Sequence, residues 1–112
     1  MRIKTNKEHF LSCNVAAFTY HEGCEVFDKL KVGKRVTLVR EDENPYDHNA
    51  VAIFFGETHI GYIPRRQNET IAKFLDLGYG DIFEARIQSV DATAHPEEQV
   101  GIVIYLKRKA DK

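Results

Sequence analysis

The six residues from Phe83 to Gln88 alternate strictly: Phe83, Ala85 and Ile87 are apolar, Glu84, Arg86 and Gln88 are polar. Only an extended chain, with its two-residue period, sends these sets to opposite faces. The pattern predicts a strand with one face on a core and the other in water. Val100 to Leu106 reads as its antiparallel partner, with Ile102 and Ile104 pointing inward. The connection, Asp91 to Gln99, holds Pro96 and reads as an exposed loop. Two strands cannot bury a core by themselves, so the remaining chain must supply more sheet or a covering helix.

It does so in short pieces. Phe10 to Phe18 is rich in β-forming residues and predicts a strand. A loop at Tyr20-His21-Glu22-Gly23 follows, then one or two helical turns over Cys24 to Leu30, where Val26, Phe27 and Leu30 share a face. Arg35 to Arg40 reads as the next strand, after a turn at Gly33. Ala50 to Phe55 and His59 to Ile63 form a hairpin around Gly56-Glu57, and Gly61 inside its second arm marks a bulge or a close backbone approach. Pro64 ends that ladder. A helix is predicted from about Arg65 to Leu77, with Ile71, Phe74 and Leu75 on one side and Gly78 as its stop. About six short strands with one main helix and a short helical turn predict an α+β fold, a small antiparallel β-barrel of OB-like or SH3-like type. Closure of this kind removes exposed sheet edges. The expected boundaries are an N-terminal extension over 1–9, the barrel over 10–107 and a basic tail over 108–112.

With 112 residues the chain amounts to one domain. Sixteen Lys and Arg face seventeen Asp and Glu, and each half of the chain is itself close to balance. Binding of nucleic acid by bulk charge is thereby excluded, and any anion site must come from local clustering. No apolar run approaches the ~20 residues of a membrane span, so no membrane partner is expected. The first residues lack an apolar signal region. The two cysteines, Cys13 and Cys24, are too few for a disulfide framework and read as small core residues in a reduced, cytoplasmic setting.

The most unusual segment is Asn44-Pro45-Tyr46-Asp47-His48-Asn49-Ala50-Val51, which places an aromatic ring, a carboxylate, an imidazole and amides on one loop leading into a strand. Such a loop suits recognition. Its plainer reading is an Asx-turn in which Asp47 and Asn49 bond the backbone while Tyr46 lies on the barrel. Two further clusters are Phe18-Thr19-Tyr20-His21, at the end of the first strand, and Tyr62-Ile63-Pro64-Arg65-Arg66, where strand gives way to helix. A helix N-terminus beside Arg65 and Arg66 would suit a phosphate; the plainer reading is two solvated arginines.

Catalytic motifs are missing. There is no P-loop, no glycine-rich dinucleotide loop and no Ser-His-Asp arrangement, and the five histidines show no zinc-ligand spacing. No cofactor and no small-molecule substrate are expected. Zinc held by Cys13 or Cys24 with His21 is the weak exception.

The segment from Asp42 to Val51 is similar to the N-P-Y-D-x-N-A hallmark of the HIRAN domain, a small module fused to Swi/Snf-type helicase-like ATPases and also found free-standing in bacteria. Val15-Ala16-Ala17-Phe18, with Tyr20 and Gly23, and Ile60-Gly61-Tyr62-Ile63-Pro64 support the resemblance, which runs from about Phe10 to Leu106. It implies an OB-like barrel that binds single-stranded DNA at its 3′-hydroxyl end, in DNA repair or replication, beside a DNA-processing enzyme and with no enzymatic activity of its own. Carried over by position, Tyr20 and Tyr46 would stack the terminal base and Asp47 would accept a hydrogen bond from the free hydroxyl. Tyr62 and Arg65 would lie near the backbone phosphate, with His21, Asn49 and Arg66 completing the nucleic-acid-binding set. Thr19 and His21 depart from the pattern, since arginine and tyrosine stand there in DNA-binding members. Those departures, with the acidic run Glu41-Asp42-Glu43, motivate a second reading: a protein-interaction module with a degenerate DNA site. A metal-dependent nuclease built on Asp47 and His48 is the third.

Overall fold

The computed structural model of the chain describes residues 6–18 and 22–108. Six strands form one antiparallel sheet: β1 (Lys7–Asn14), β2 (Arg35–Arg40), β3 (Val51–Phe55), β4 (Thr58–Tyr62), β5 (Phe83–Val90) and β6 (Val100–Lys107), in the order β1-β6-β5-β2-β3-β4. One α-helix, α1 (Glu69–Asp76), and short 3-10 turns complete the α+β architecture that the sequence predicts.

Strand β2 is the hinge of the sheet. Its first two residues, Arg35 and Val36, pair with β5, and Thr37 to Arg40 pair with β3. The sheet therefore folds over at β2, so that both halves turn inner faces to one core. The two outer strands meet through a single rung. Just after β1, Ala16 and Tyr62 of β4 exchange both backbone hydrogen bonds, at 2.8 and 2.9 Å. Gly61 makes that rung accessible. A Cβ there would lie 2.4 Å from Val15 Cγ1 and 2.5 Å from the Ala16 carbonyl oxygen, and its φ of +153° disfavours a side chain as well. The expected close approach is thus the seam that closes the barrel.

Apart from the buried Asn68, the described interior is apolar. Val51, Ala52 and Ile53 are all buried, because β3 lies between two strands and is covered on both faces. Phe83, Ala85 and Ile87 point inward from β5, as their alternation requires, against Ile102 and Ile104 of β6. Phe18 is buried with its ring edge-on to Phe27 at 5.8 Å, and it fills the space above Gly23, where a Cβ would come within 2.3 Å of the ring.

Some boundaries differ from expectation. Strand β1 runs over Lys7–Asn14 rather than Phe10 to Phe18; the chain leaves the ladder at Val15, and Ala17 turns it with a φ of +59° so that Phe18 enters the core. The predicted helix from Arg65 is divided: Arg65–Gln67 is a single 3-10 turn, and α1 begins only at Glu69. The turns over Cys24 to Leu30 are a 3-10 helix, Glu22–Lys29, on which Cys24 is exposed rather than a core residue. Among the described residues no helix is long and apolar enough to cross a membrane.

Candidate nucleic-acid interface

The loop between β2 and β3 owes its shape to its own polar side chains. Asn44 Oδ1 accepts from the backbone N–H groups of Tyr46 (2.8 Å) and Asp47 (3.1 Å), and Asp47 Oδ1 accepts from Asn49 N–H (3.0 Å). These are Asx-type turns, in which a short side chain supplies the acceptor that the backbone lacks. Pro45 stiffens the first of them. The turn reading was therefore right for Asp47, while Asn49 contributes its backbone rather than its side chain. Tyr46 is not laid on the barrel. Held at the tip, it is 84% exposed.

Other elements lock this loop from outside. Arg40, at the end of β2, donates to the carbonyl oxygens of His48 (2.6 Å) and Ala50 (3.1 Å) and pairs with Asp76 of α1 at 2.9 Å. Glu41 Oε1 accepts from the Tyr62 hydroxyl (2.8 Å) and from Asn44 Nδ2 (3.1 Å). Asn68, buried just before α1, donates to Asp47 Oδ2 at 2.8 Å. Arg65 donates to the Tyr46 carbonyl oxygen, and its Nε lies 3.7 Å from Asp47 Oδ2.

Together these contacts shape an open cleft of about 460 Å³ on the barrel seam. Tyr46, Asp47, Tyr62 and Arg65 line it, over a floor that includes Ala16 and Ile63. The closing rung between Ala16 and Tyr62 is part of its wall, so the same contact that completes the barrel brings the cleft together.

Partial burial raises the Asp47 carboxyl, but the Asn49 N–H, the Asn68 amide and the nearby charges of Arg65 and His48 outweigh it and hold the group below its ordinary value. Asp47 is therefore an anion at neutral pH. Burial, together with donation to the Glu41 carboxylate, pushes the Tyr62 phenol up to about 12, so its ring stays neutral and its proton stays committed. Among the described residues, two of the roughly four acceptor positions on Asp47 are occupied by hydrogen bonds, leaving capacity for a donor from outside.

Of the residues singled out in the sequence, Tyr46, Asp47, Tyr62 and Arg65 share this cleft. Arg66 lines a neighbouring one, and the half-buried Asn49 acts through its backbone. Thr19, Tyr20 and His21 lie outside the described residues, and with them one expected aromatic wall and one zinc candidate. Among the described residues no three His, Cys, Asp or Glu side chains cluster as a metal site. Cys13 is half-buried, and burial pushes its thiol up to about 12, which leaves it a poor ligand and nucleophile at neutral pH. The expected helix N-terminus at Arg65 and Arg66 is a 3-10 turn instead, and Asn68, at the head of α1, turns its side chain to Asp47 rather than to the helix backbone. Sequence reasoning missed Arg40 and Asn68, and took Glu41 as part of an acidic run rather than as a brace for Tyr62 and Asn44. Arg40 and Glu41 flank the loop and could have been suspected from that position; Asn68 carries no such signal.

The described geometry can be set against known proteins. The chain has no match among curated proteins. It resembles the crystal structure of a protein from Lactobacillus plantarum, at 24% identity and a TM-score of 0.75, over 92% of this chain and 97% of that one. It also resembles the HIRAN domain of human HLTF, at 16% identity and a TM-score of 0.62, over 93% of this chain and 82% of that one. At these identities the likeness carries the fold. The model of the HIRAN domain matches residues 9–109, nearly the whole chain and all of the cleft just described. By that match the chain belongs to the HIRAN domain family.

Proposed function

We propose that this HIRAN domain binds the 3′-hydroxyl end of single-stranded DNA in the cleft around Tyr46 and Asp47. HIRAN domains are in general DNA-binding modules. The observation that carries the finer reading is the pairing of an uncovered aromatic with an ionised, half-satisfied carboxylate at one cleft. Tyr46 presents its ring to solvent, and a nucleobase stacked on such a ring contributes ~1–3 kcal/mol whatever its identity. Asp47 keeps acceptor capacity for a sugar hydroxyl, and its charge repels a phosphate in the same place. One side chain thus separates a free end from a continuing strand. Arg65, about two-thirds exposed beside it, supplies positive charge for the preceding phosphate. On this reading the chain is a binding module that brings a DNA end to a processing enzyme in repair or replication.

The acidic run beside the loop bears on the alternative, a protein-interaction module. Glu41 is turned inward onto Tyr62 and Asn44, whereas Asp42 and Glu43 remain exposed and would disfavour a phosphate chain on that side. Fluorescence anisotropy with short single strands ending in a 3′-hydroxyl, ending in a 3′-phosphate, or closed into circles separates the readings. Preference for the hydroxyl end, lost in Asp47→Ala, supports end recognition, and the slope of log K against log salt should be roughly −1.5 to −2 for two or three phosphates. Equal affinity for the three strands excludes the role given to Asp47. Absence of binding at low salt favours the protein-interaction reading.

A further inference from the structure

Phe18 and Phe83 lie in the core cluster and Phe10, Phe27, Phe55 and Phe74 pack against it, which leaves Phe54 as the one of seven phenylalanines outside. Its place follows from the register. Val51 and Ile53 of β3 face the core, so the alternate residues Ala52 and Phe54 face outward. Residues paired directly across strands share a face. Phe54 is paired with Thr37 of β2 and His59 of β4, and Ala52 with Val39 and Tyr62. The outer face of this half of the sheet therefore carries three rings in contact. Phe54 and His59 stack with centroids 4.9 Å apart and 13° between planes, and His59 meets Tyr62 edge to face at 4.9 Å and 80°. Tyr62 is also a wall of the cleft. The row of rings thus begins at the cleft and leads away from it over the β3–β4 hairpin.

The far end of the row is open. His59 covers one face of Phe54; the other turns towards β2, where its paired residue is the small, exposed Thr37 and no ring lies against it among the described residues. Two residues from Thr37 on the same face stands Arg35, whose side chain is 63% exposed. Its ion pair is long, 3.9 Å to Glu84, a carboxylate that Lys7 and Arg86 already hold at 2.8 and 2.7 Å. Three cations around one carboxylate leave positive charge over. An open ring beside a cation is the pairing that holds a single strand, the ring stacking on a base and the cation meeting a phosphate. Continuity selects the occupant: a strand whose last nucleotide lies in the cleft leads out along one of its walls, and Tyr62 is the wall that the rings extend.

We infer that the outer face of β2, β3 and β4 holds the nucleotides upstream of the 3′ end, with one base stacked on the β2-facing side of Phe54 and a phosphate beside Arg35. The inference rests on the end-binding reading of the cleft and extends it from one nucleotide to a short strand.

The test uses the full chain and 3′-hydroxyl oligothymidylates of two to eight nucleotides, competing with a fluorescent 3′-hydroxyl strand and read by anisotropy. Each strand has one 3′ end, so length by itself adds no end sites. Affinity should rise about five-fold or more between two and eight nucleotides, the lower end of what one stacked base contributes. Phe54→Leu keeps the apolar volume but removes the flat face, and it should cancel most of that rise while the dinucleotide binds as before. Arg35→Gln should reduce the salt slope of the eight-nucleotide strand by about 0.7, the share of one phosphate on a single strand. Equal affinity at every length overturns the extension, leaves the row of rings to a protein partner and keeps the end-binding reading intact. A rise with length that Phe54→Leu leaves in place also overturns it. Failure of every strand to bind overturns both readings.

Discussion

Asn68, the buried polar residue at the head of α1, donates its side-chain amide to Asp47 Oδ2 at 2.8 Å, across 21 positions of sequence. A residue placed to cap the helix instead aims the Asp47 carboxylate of the loop between β2 and β3. Removing it should act on both. Asn68→Ala should destabilise the fold by about 1–3 kcal/mol, the cost of a lost partner at a buried polar contact. It should also raise the Asp47 pKa. Urea unfolding and an NMR titration of the Asp47 carboxyl measure the two effects separately, and an unchanged titration would show that Asn68 does not hold the charge.

Tyr46 separates binding from stability. Because its side chain is almost fully exposed, Tyr46→Ala should leave the unfolding midpoint within the range of an ordinary surface change, about 0.5 kcal/mol. Affinity for single strands should fall by about 1–3 kcal/mol. A large loss of stability would mean that the ring packs against the protein.

Arg40 is the strut between the loop and the helix. Arg40→Ala removes two bonds to loop carbonyl groups, and a stability loss of about 1–3 kcal/mol together with weaker strand binding is expected. Asp76→Asn removes only the half-exposed partner and should cost under about 1 kcal/mol. Equal effects of the two substitutions in thermal unfolding would contradict this ranking.

The barrel seam tolerates nothing larger than glycine at position 61. Gly61→Ala drives a methyl group into Val15 and the Ala16 carbonyl, and a loss of about 1–3 kcal/mol is expected. The amide protons of Ala16 and Tyr62 should then exchange faster with solvent, as the rung between them opens.

Glu84 gives the fold a defined acid response. Hydrogen bonds from Lys7 and Arg86 bring its carboxyl down from 4.5 to about 2. A lowered folded-state pKa means that the ionised group stabilises the fold above pH 4.5, and that this contribution disappears as pH falls towards 2. Stability should decline across that window, and Glu84→Gln should flatten the decline while lowering stability at pH 7. A variant whose acid unfolding curve superimposes on the parent's would remove Glu84 as the cause.

The β-elements and the loop were legible because their signals are local. Alternation at Phe83 to Gln88 marks a strand in any context, and Asn44-Pro45 followed by Asp47 forms its turn with bonds two or three residues long. The hallmark residues Tyr46 and Asp47 could therefore be named from the sequence, together with the family that carries them. Helix boundaries were less legible: the 3-10 turn at Arg65–Gln67 and the break at Asn68 follow from where β4 delivers the chain, and apolar spacing does not record this.

By itself, the sequence determined which segments extend, where the chain turns and which loop braces itself with its own polar side chains, since each depends on neighbours within a few residues. Only the tertiary structure decided that Ala16 meets Tyr62, that Asn68 orients Asp47, and that Arg65 and Arg66 line different clefts. Those contacts join residues distant in the chain and form only when the sheet folds over at β2 and closes, so no local pattern announces them.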